Sequence, residues 1–125
     1  MDHDMLIKEH AQVTRLDQHE LVRQLNSHLG PTLVALLANV RDRKLPHKWA
    51  AADGPAPRTE SYTRLQAAHR AWSLICAADD EYVARQWFIG ANPRLDEDTP
   101  VMRLRAGDIK SVIAAATAFS EGSNH

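Results

Sequence analysis

Trp87-Phe88-Ile89-Gly90-Ala91-Asn92-Pro93-Arg94-Leu95-Asp96-Glu97-Asp98-Thr99-Pro100, followed by Arg105-Ala106-Gly107-Asp108 and an apolar run to Phe119, decides how this 125-residue chain folds. Along the backbone it reads as an aromatic-ended helix, a tight turn, a short helix, a break and a last helix. Asn92-Pro93 ends the first helix, because the residue before a proline is pushed out of the helical region. Thr99 with Pro100 opens the short helix, and Gly107 closes it. Asp108 caps the last helix, which sets Ile109, Val112, Ile113, Ala116 and Phe119 on one face.

Upstream of that stretch the same punctuation continues. Asp79 or Asp80 can cap the helix that carries Val83, Trp87 and Phe88 inward. Thr59 can cap a long helix through Ala77 or Ala78, with Leu65, Ala68, Trp72, Ile75 and Cys76 as its inner stripe. Asp53-Gly54-Pro55-Ala56-Pro57 is a turn that no helix crosses, and it is the best linker in the chain. Before it, Pro46 suits the first turn of a short helix over 45–52. Leu33, Val34, Leu36, Leu37 and Val40 form a broad apolar face. Gly30 stops one helix, and Pro31 suits the first turn of the next. Asp17-Gln18-His19-Glu20 reads as a capped start for a helix whose Leu21, Val22, Leu25 and Leu29 recur at helical spacing. No segment alternates with period two, so the fold class is all-α. Three parts are expected: a flexible 1–16, a region 17–57 and a helical region 58–125.

Composition excludes several function classes. With 44% hydrophobic and 25% charged residues, the chain is globular rather than disordered. Cys76 is the only cysteine, so no internal disulfide forms, and a lone Cys in an apolar stretch is usually a core residue. The first ten residues lack a signal-peptide pattern and no run approaches a membrane span, so a cytoplasmic location is expected. A net charge of −1 gives no global attraction to nucleic acid, but the charge is uneven. Arg41, Arg43, Lys44 and Lys48 stand against Asp42 alone. Asp79, Asp80, Glu81, Asp96, Glu97 and Asp98 stand against Arg85 and Arg94. A local basic patch can meet phosphate, or can be a solvated face.

No catalytic set emerges. Seven histidines are present, yet none pairs with a second at metal-ligand spacing beside a carboxylate. His19-Glu20 would need a histidine at 23 to start a zinc-protease motif, and Arg23 stands there. There is no glycine-rich phosphate loop and no serine elbow. No metal and no cofactor are expected.

The stretch from Trp87 to Pro100, with Arg105 to Asp108 and the run to Phe119, resembles the toxin-binding domain of Xre-type antitoxins from RES–Xre toxin–antitoxin modules. That family includes MbcA-like and ParS-like proteins. The pieces 29–34 and 41–44, together with Lys48-Trp49-Ala50, Asp53-Gly54-Pro55 and Pro57-Arg58, resemble the family's N-terminal helix-turn-helix-like region. The resemblance spans about 17–122, and its C-terminal portion is the more specific.

The resemblance implies an N-terminal helix-turn-helix-like bundle packed with a C-terminal helical toxin-binding domain. It implies an antitoxin that binds a RES-domain, NAD-degrading toxin and occludes its active site. The toxin-binding candidates carried over are Trp87, Asn92, Pro93, Asp96, Arg105, Phe119, Ser123 and His125. In a helix-turn-helix the second helix meets DNA, and its candidates here are Arg41, Arg43, Lys44, His47 and Lys48. Promoter DNA, a homodimer through the N-terminal helices and a larger toxin–antitoxin complex are the further partners expected.

Each assignment has a plainer competitor. Trp87 can be an interface anchor or a core residue packed on the last helix. Trp49 and Trp72 fall on expected inner stripes. Asn92-Pro93 can aim the following loop or touch a partner, and the acidic run 96–98 can meet a basic surface or water. The tail after Phe119 can plug a nucleotide pocket or simply fray. Pro46 occupies a place where a polar contact would serve a DNA reader. The candidate recognition helix also lacks the Asn or Gln that pairs with adenine. Phosphate contact therefore suits it better than base reading. A stand-alone transcriptional regulator is the alternative function, and a small enzyme is a third.

Overall fold

The computed structural model describes residues 18–122. The segment 1–16, the Asp17 cap, Ser123 and His125 lie outside the described residues. Within them are seven α-helices, one short 3-10 turn and no strand. The helices are α1 (18–29), α2 (Pro31–Leu37), α3 (Leu45–Ala50), α4 (Thr59–Ala78), α5 (Glu81–Ile89), α6 (Pro100–Arg105) and α7 (Ile109–Ser120). The 3-10 turn, Pro93–Leu95, lies between α5 and α6. The expected all-α class is what the chain adopts.

α4 is the spine. Its buried Ser61, Leu65, Ala68, Trp72 and Ile75 follow a helical repeat, with Ala67 and Ala71 widening the stripe. Its most extensive packing is against α7, whose Val112, Ala115, Ala116 and Ala118 are buried. Alanines on both helices allow a short interaxial distance. α2 packs against α6 and α3, and α5 packs against α4 and α6. Val22, Leu25, Leu29, Val34, Leu37, Trp49, Leu65, Trp72, Phe88, Leu95, Leu104 and Val112 belong to one buried cluster, which runs across the 57/58 boundary.

Most helix ends are set by the residues anticipated. Gly30 has φ 86°, a value a side chain resists, between α1 and Pro31. Asp80 Oδ1 accepts from Val83 N at 2.8 Å, Thr99 Oγ1 from Met102 N at 3.2 Å and Asp108 Oδ1 from Ser111 N at 3.3 Å. α6 closes with the paired hydrogen bonds of a Schellman motif, Gly107 N to Leu104 O and Asp108 N to Arg103 O.

Four expectations need correction. Thr59 does not cap α4; Arg58 holds the cap position without a side-chain bond, and Thr59 is the first helical residue. α3 stops at Ala50 rather than Ala52, because Ala51 turns extended and Gly54 N bonds back to Ala51 O at 3.0 Å. α5 is rotated by about one position. Ala84 and Phe88 are its buried residues, while Val83 and Trp87 are half-buried. Cys76 is likewise half-buried, not fully inside. Burial, with the nearby Glu81 and Asp80 carboxylates, pushes its thiol pKa up, which favours the protonated form.

Candidate functional site

α2 ends in an uncommon way that prepares the basic stretch. Asn39 takes φ 63° and bonds to Leu36 O, and Val40 N bonds to Ala35 O. This is a Schellman motif with asparagine in the glycine place, since Asn tolerates the left-handed region. Asp42 then closes the next turn: its Oδ1 accepts from Lys44 N at 2.9 Å and its carbonyl from Leu45 N at 3.2 Å. The connection 38–44 is longer than the roughly three- to four-residue turn of a DNA-binding helix-turn-helix. The turn itself therefore presents basic side chains.

Arg41, Arg43, Lys44, His47 and Lys48 are all exposed. Lys44, at the N-cap of α3, lies one turn before Lys48, with His47 beside it, and Arg43 stands in the turn that leads into the helix. None of the five has an ion pair among the described residues. The opposite side of α3 buries Trp49 and Pro46. Pro46 does not take a contact position on the ridge; its ring is an anchor in the core. Behind α3 is a cleft of ≈ 580 Å³, lined in part by Val40, Leu45, Trp49, Pro55, Arg58 and Arg64.

The C-terminal candidates do not form one exposed site. Trp87 is half-buried and stands edge-on to Phe88, with centroids 5.2 Å apart and planes at 82°. Asn92 is buried at 9% exposure and ties the loop together. Its Oδ1 accepts from Arg94 N at 2.9 Å, its carbonyl from Leu95 N and Glu97 N, and its own N–H donates to Asp98 O. Pro93 and Asp96 are exposed beside it. Asp96 and the next residue, Glu97, take φ of 54° and 67°, a strained pair for side-chain-bearing residues. Arg105 is half-buried and donates through Nη1 to Leu36 O at 2.9 Å, so it caps α2. Phe119 is half-buried and packed against the core. Ser123 and His125 lie outside the described residues.

Two features were not anticipated. Arg103 is the hub of the loop. Its guanidinium donates to Asp108 Oδ2 at 2.9 Å, Asp98 Oδ2 at 3.1 Å and Leu95 O at 2.7 Å. Those bonds, the one to Asp108 first, raise the Arg103 pKa, and they hold the Asp108 carboxyl below the usual range with help from Ser111. The spacing of Asp98 and Asp108, five residues either side of Arg103, was the available signal. The second feature is apolar. The exposed large hydrophobic residues are Tyr82 at 72%, Ile89 at 42% and Met102 at 43%, and all lie on α5 or α6, which touch.

Among the described residues no group of three His, Cys, Asp or Glu side chains is arranged to hold a metal, and no helix is long and apolar enough to cross a membrane. No family model, no curated protein and no solved structure matches this chain.

Proposed function

We propose that this chain is an Xre-type antitoxin that binds a RES-domain, NAD-degrading toxin, occludes its active site and lets the complex hold its own promoter. The family reading rests on the resemblance over 17–122. The observation that carries it further is how the exposed chemistry is segregated. Unpaired cations line α3 and the turn before it, while the exposed large hydrophobics lie on α5 and α6. A basic stripe suits a phosphate backbone. Solvent-facing Tyr, Ile and Met side chains suit a protein partner, since aromatic residues and Met are enriched at interface cores.

The toxin contact then centres on Tyr82, Ile89 and Met102, and the resemblance adds Trp87, Pro93 and Asp96. The test is co-expression with the product of the neighbouring gene, followed by size-exclusion chromatography with mass detection. A complex should form, and NAD consumption should appear only when this chain is removed. Ile89→Glu with Met102→Glu should abolish co-purification and leave the helical melting transition in place. NAD loss that persists in the intact complex would end the occlusion mechanism.

A second reading, a stand-alone regulator, is favoured by one fact: the ridge is complete within this chain. It expects sequence-specific duplex binding without any partner. The toxin reading expects binding to strengthen when the partner joins.

A further inference from the structure

We infer that His19, Arg23 and Asn26 of α1 are positioning residues for the basic ridge, holding α3 by its carbonyls so that His47 and Lys48, with Arg43 and Lys44 in the turn that leads into the helix, meet a phosphate backbone as one rigid ridge. The inference rests on the DNA arm of the function proposed above.

α3 has six residues and buries only Pro46 and Trp49. A helix this short is not stable by itself, and the carbonyls of its last turn have no intrahelical donors. α1 supplies the donors. His19 Nδ1 lies 2.6 Å from Trp49 O, and because a carbonyl only accepts, Nδ1 carries the hydrogen. Arg23 Nη2 donates to Ala50 O at 2.8 Å. At the other end of α3, in its first turn, Asn26 Nδ2 donates to Pro46 O at 2.9 Å. Positions 19, 23 and 26 form one stripe of α1, beside the stripe of Val22, Leu25 and Leu29 that enters the core.

Asn26 shows that this stripe does more than fill space. Its Oδ1 is buried with no hydrogen-bond partner among the described residues. Turning the amide over would set Oδ1 against Pro46 O, two acceptors face to face. An unsatisfied buried carbonyl is costly, and an apolar residue would avoid it. What the asparagine retains for that cost is its grip on α3. On the ridge side no ion pair among the described residues fixes the helix. An array of cations on a loosely held carrier must be ordered on binding, which lowers affinity.

The test uses the full chain, with amide hydrogen exchange in the free protein and fluorescence anisotropy on a labelled 30-bp duplex. His19→Phe with Asn26→Ala should raise exchange in α3 by about tenfold, leave α4 protected, and weaken the duplex by about tenfold. The salt dependence should stay as in the wild type, since every ridge cation remains. Arg23→Met, which has no donor, should loosen α3 in the same way, and Arg23→Lys, which keeps one, should restore both readouts. If the double variant loses protection throughout, the single exposed change Arg23→Met carries the test. Unchanged α3 exchange in Arg23→Met would overturn the clamp. Faster α3 exchange with undiminished duplex affinity would overturn the positioning role. A wild type that binds no duplex would overturn the DNA reading and the positioning role with it, while the exchange pattern would still report whether the clamp exists.

Discussion

Replacing Lys44 and Lys48 with alanine tests the ridge most directly, because on the proposed phosphate contact the count of exposed cations sets how large the effect should be. Four lysine and arginine side chains, Arg41, Arg43, Lys44 and Lys48, are exposed on this side of the molecule. Each phosphate neutralised on B-DNA contributes about 0.9 to the slope of log K against log salt. Four contacts therefore give a slope of about −3.6, an affinity loss of roughly 150-fold between 50 and 200 mM salt. The double variant keeps two of the four, so its slope should fall to about −1.8 and its loss to roughly 12-fold. Neither lysine has an ion pair among the described residues, and the buried side of α3 is untouched, so stability should change by less than about 0.5 kcal/mol. The assay is anisotropy of a labelled duplex across a potassium chloride series. Lys110→Ala, an exposed change on α7, serves as the control and should leave the slope alone. A double variant with the wild-type slope would refute the ridge as the phosphate contact, whatever its affinity.

Phe88→Ala should destabilise the fold by about 3–5 kcal/mol, because a fully buried ring that contacts Trp87 and Trp72 leaves a cavity; thermal melting should show a drop on the order of 10–20 °C. Gly54→Ala should cost about 1–3 kcal/mol in urea unfolding, since its Cβ would stand 2.0 Å from Lys48 O and the turn after α3 must move. Acid should weaken the protein through Asp108: its folded pKa is lowered below the ordinary value of 3.8, so its contribution is present above that value and is lost as pH falls through the folded one. Urea midpoints of the wild type should therefore fall faster on acidification than those of Asp108→Asn, and the two should converge at the lowest pH.

The parts of the fold legible in the sequence are those fixed by local chemistry. Gly30, Asp80, Thr99, Gly107 and Asp108 act on backbone groups within a few residues, so their roles can be read from neighbours alone. Asn39 escaped because a left-handed residue at a helix end is only weakly marked when it is not glycine. The phase of α5 escaped for a different reason. Helical spacing groups residues on a face but does not say which face finds a neighbour, so Val83 and Trp87 were read as inward where Ala84 is the buried residue. The candidate site divides in the same way. The five basic residues of the ridge are exposed as a local charge run suggests. Arg105 and Asn92, read as partner contacts, have their hydrogen bonds committed inside the molecule. In Arg105 the decisive acceptor is 69 residues away in sequence, beyond the reach of any spacing rule.

That distance has a consequence during synthesis. α2 is finished at its far end by the guanidinium of Arg105, and the buried Ser61 hydroxyl closes on Ala38 O just beyond it. Arg64 does the same for α6, donating to Leu104 O and Arg105 O. α2, although closed locally by Asn39 and Val40, therefore lacks this part of its termination until Arg105 exists. The Arg105 bond to α2 can form only once residue 105 has been made and has docked. Shortening the chain from its C-terminal side should consequently unravel its N-terminal side as well.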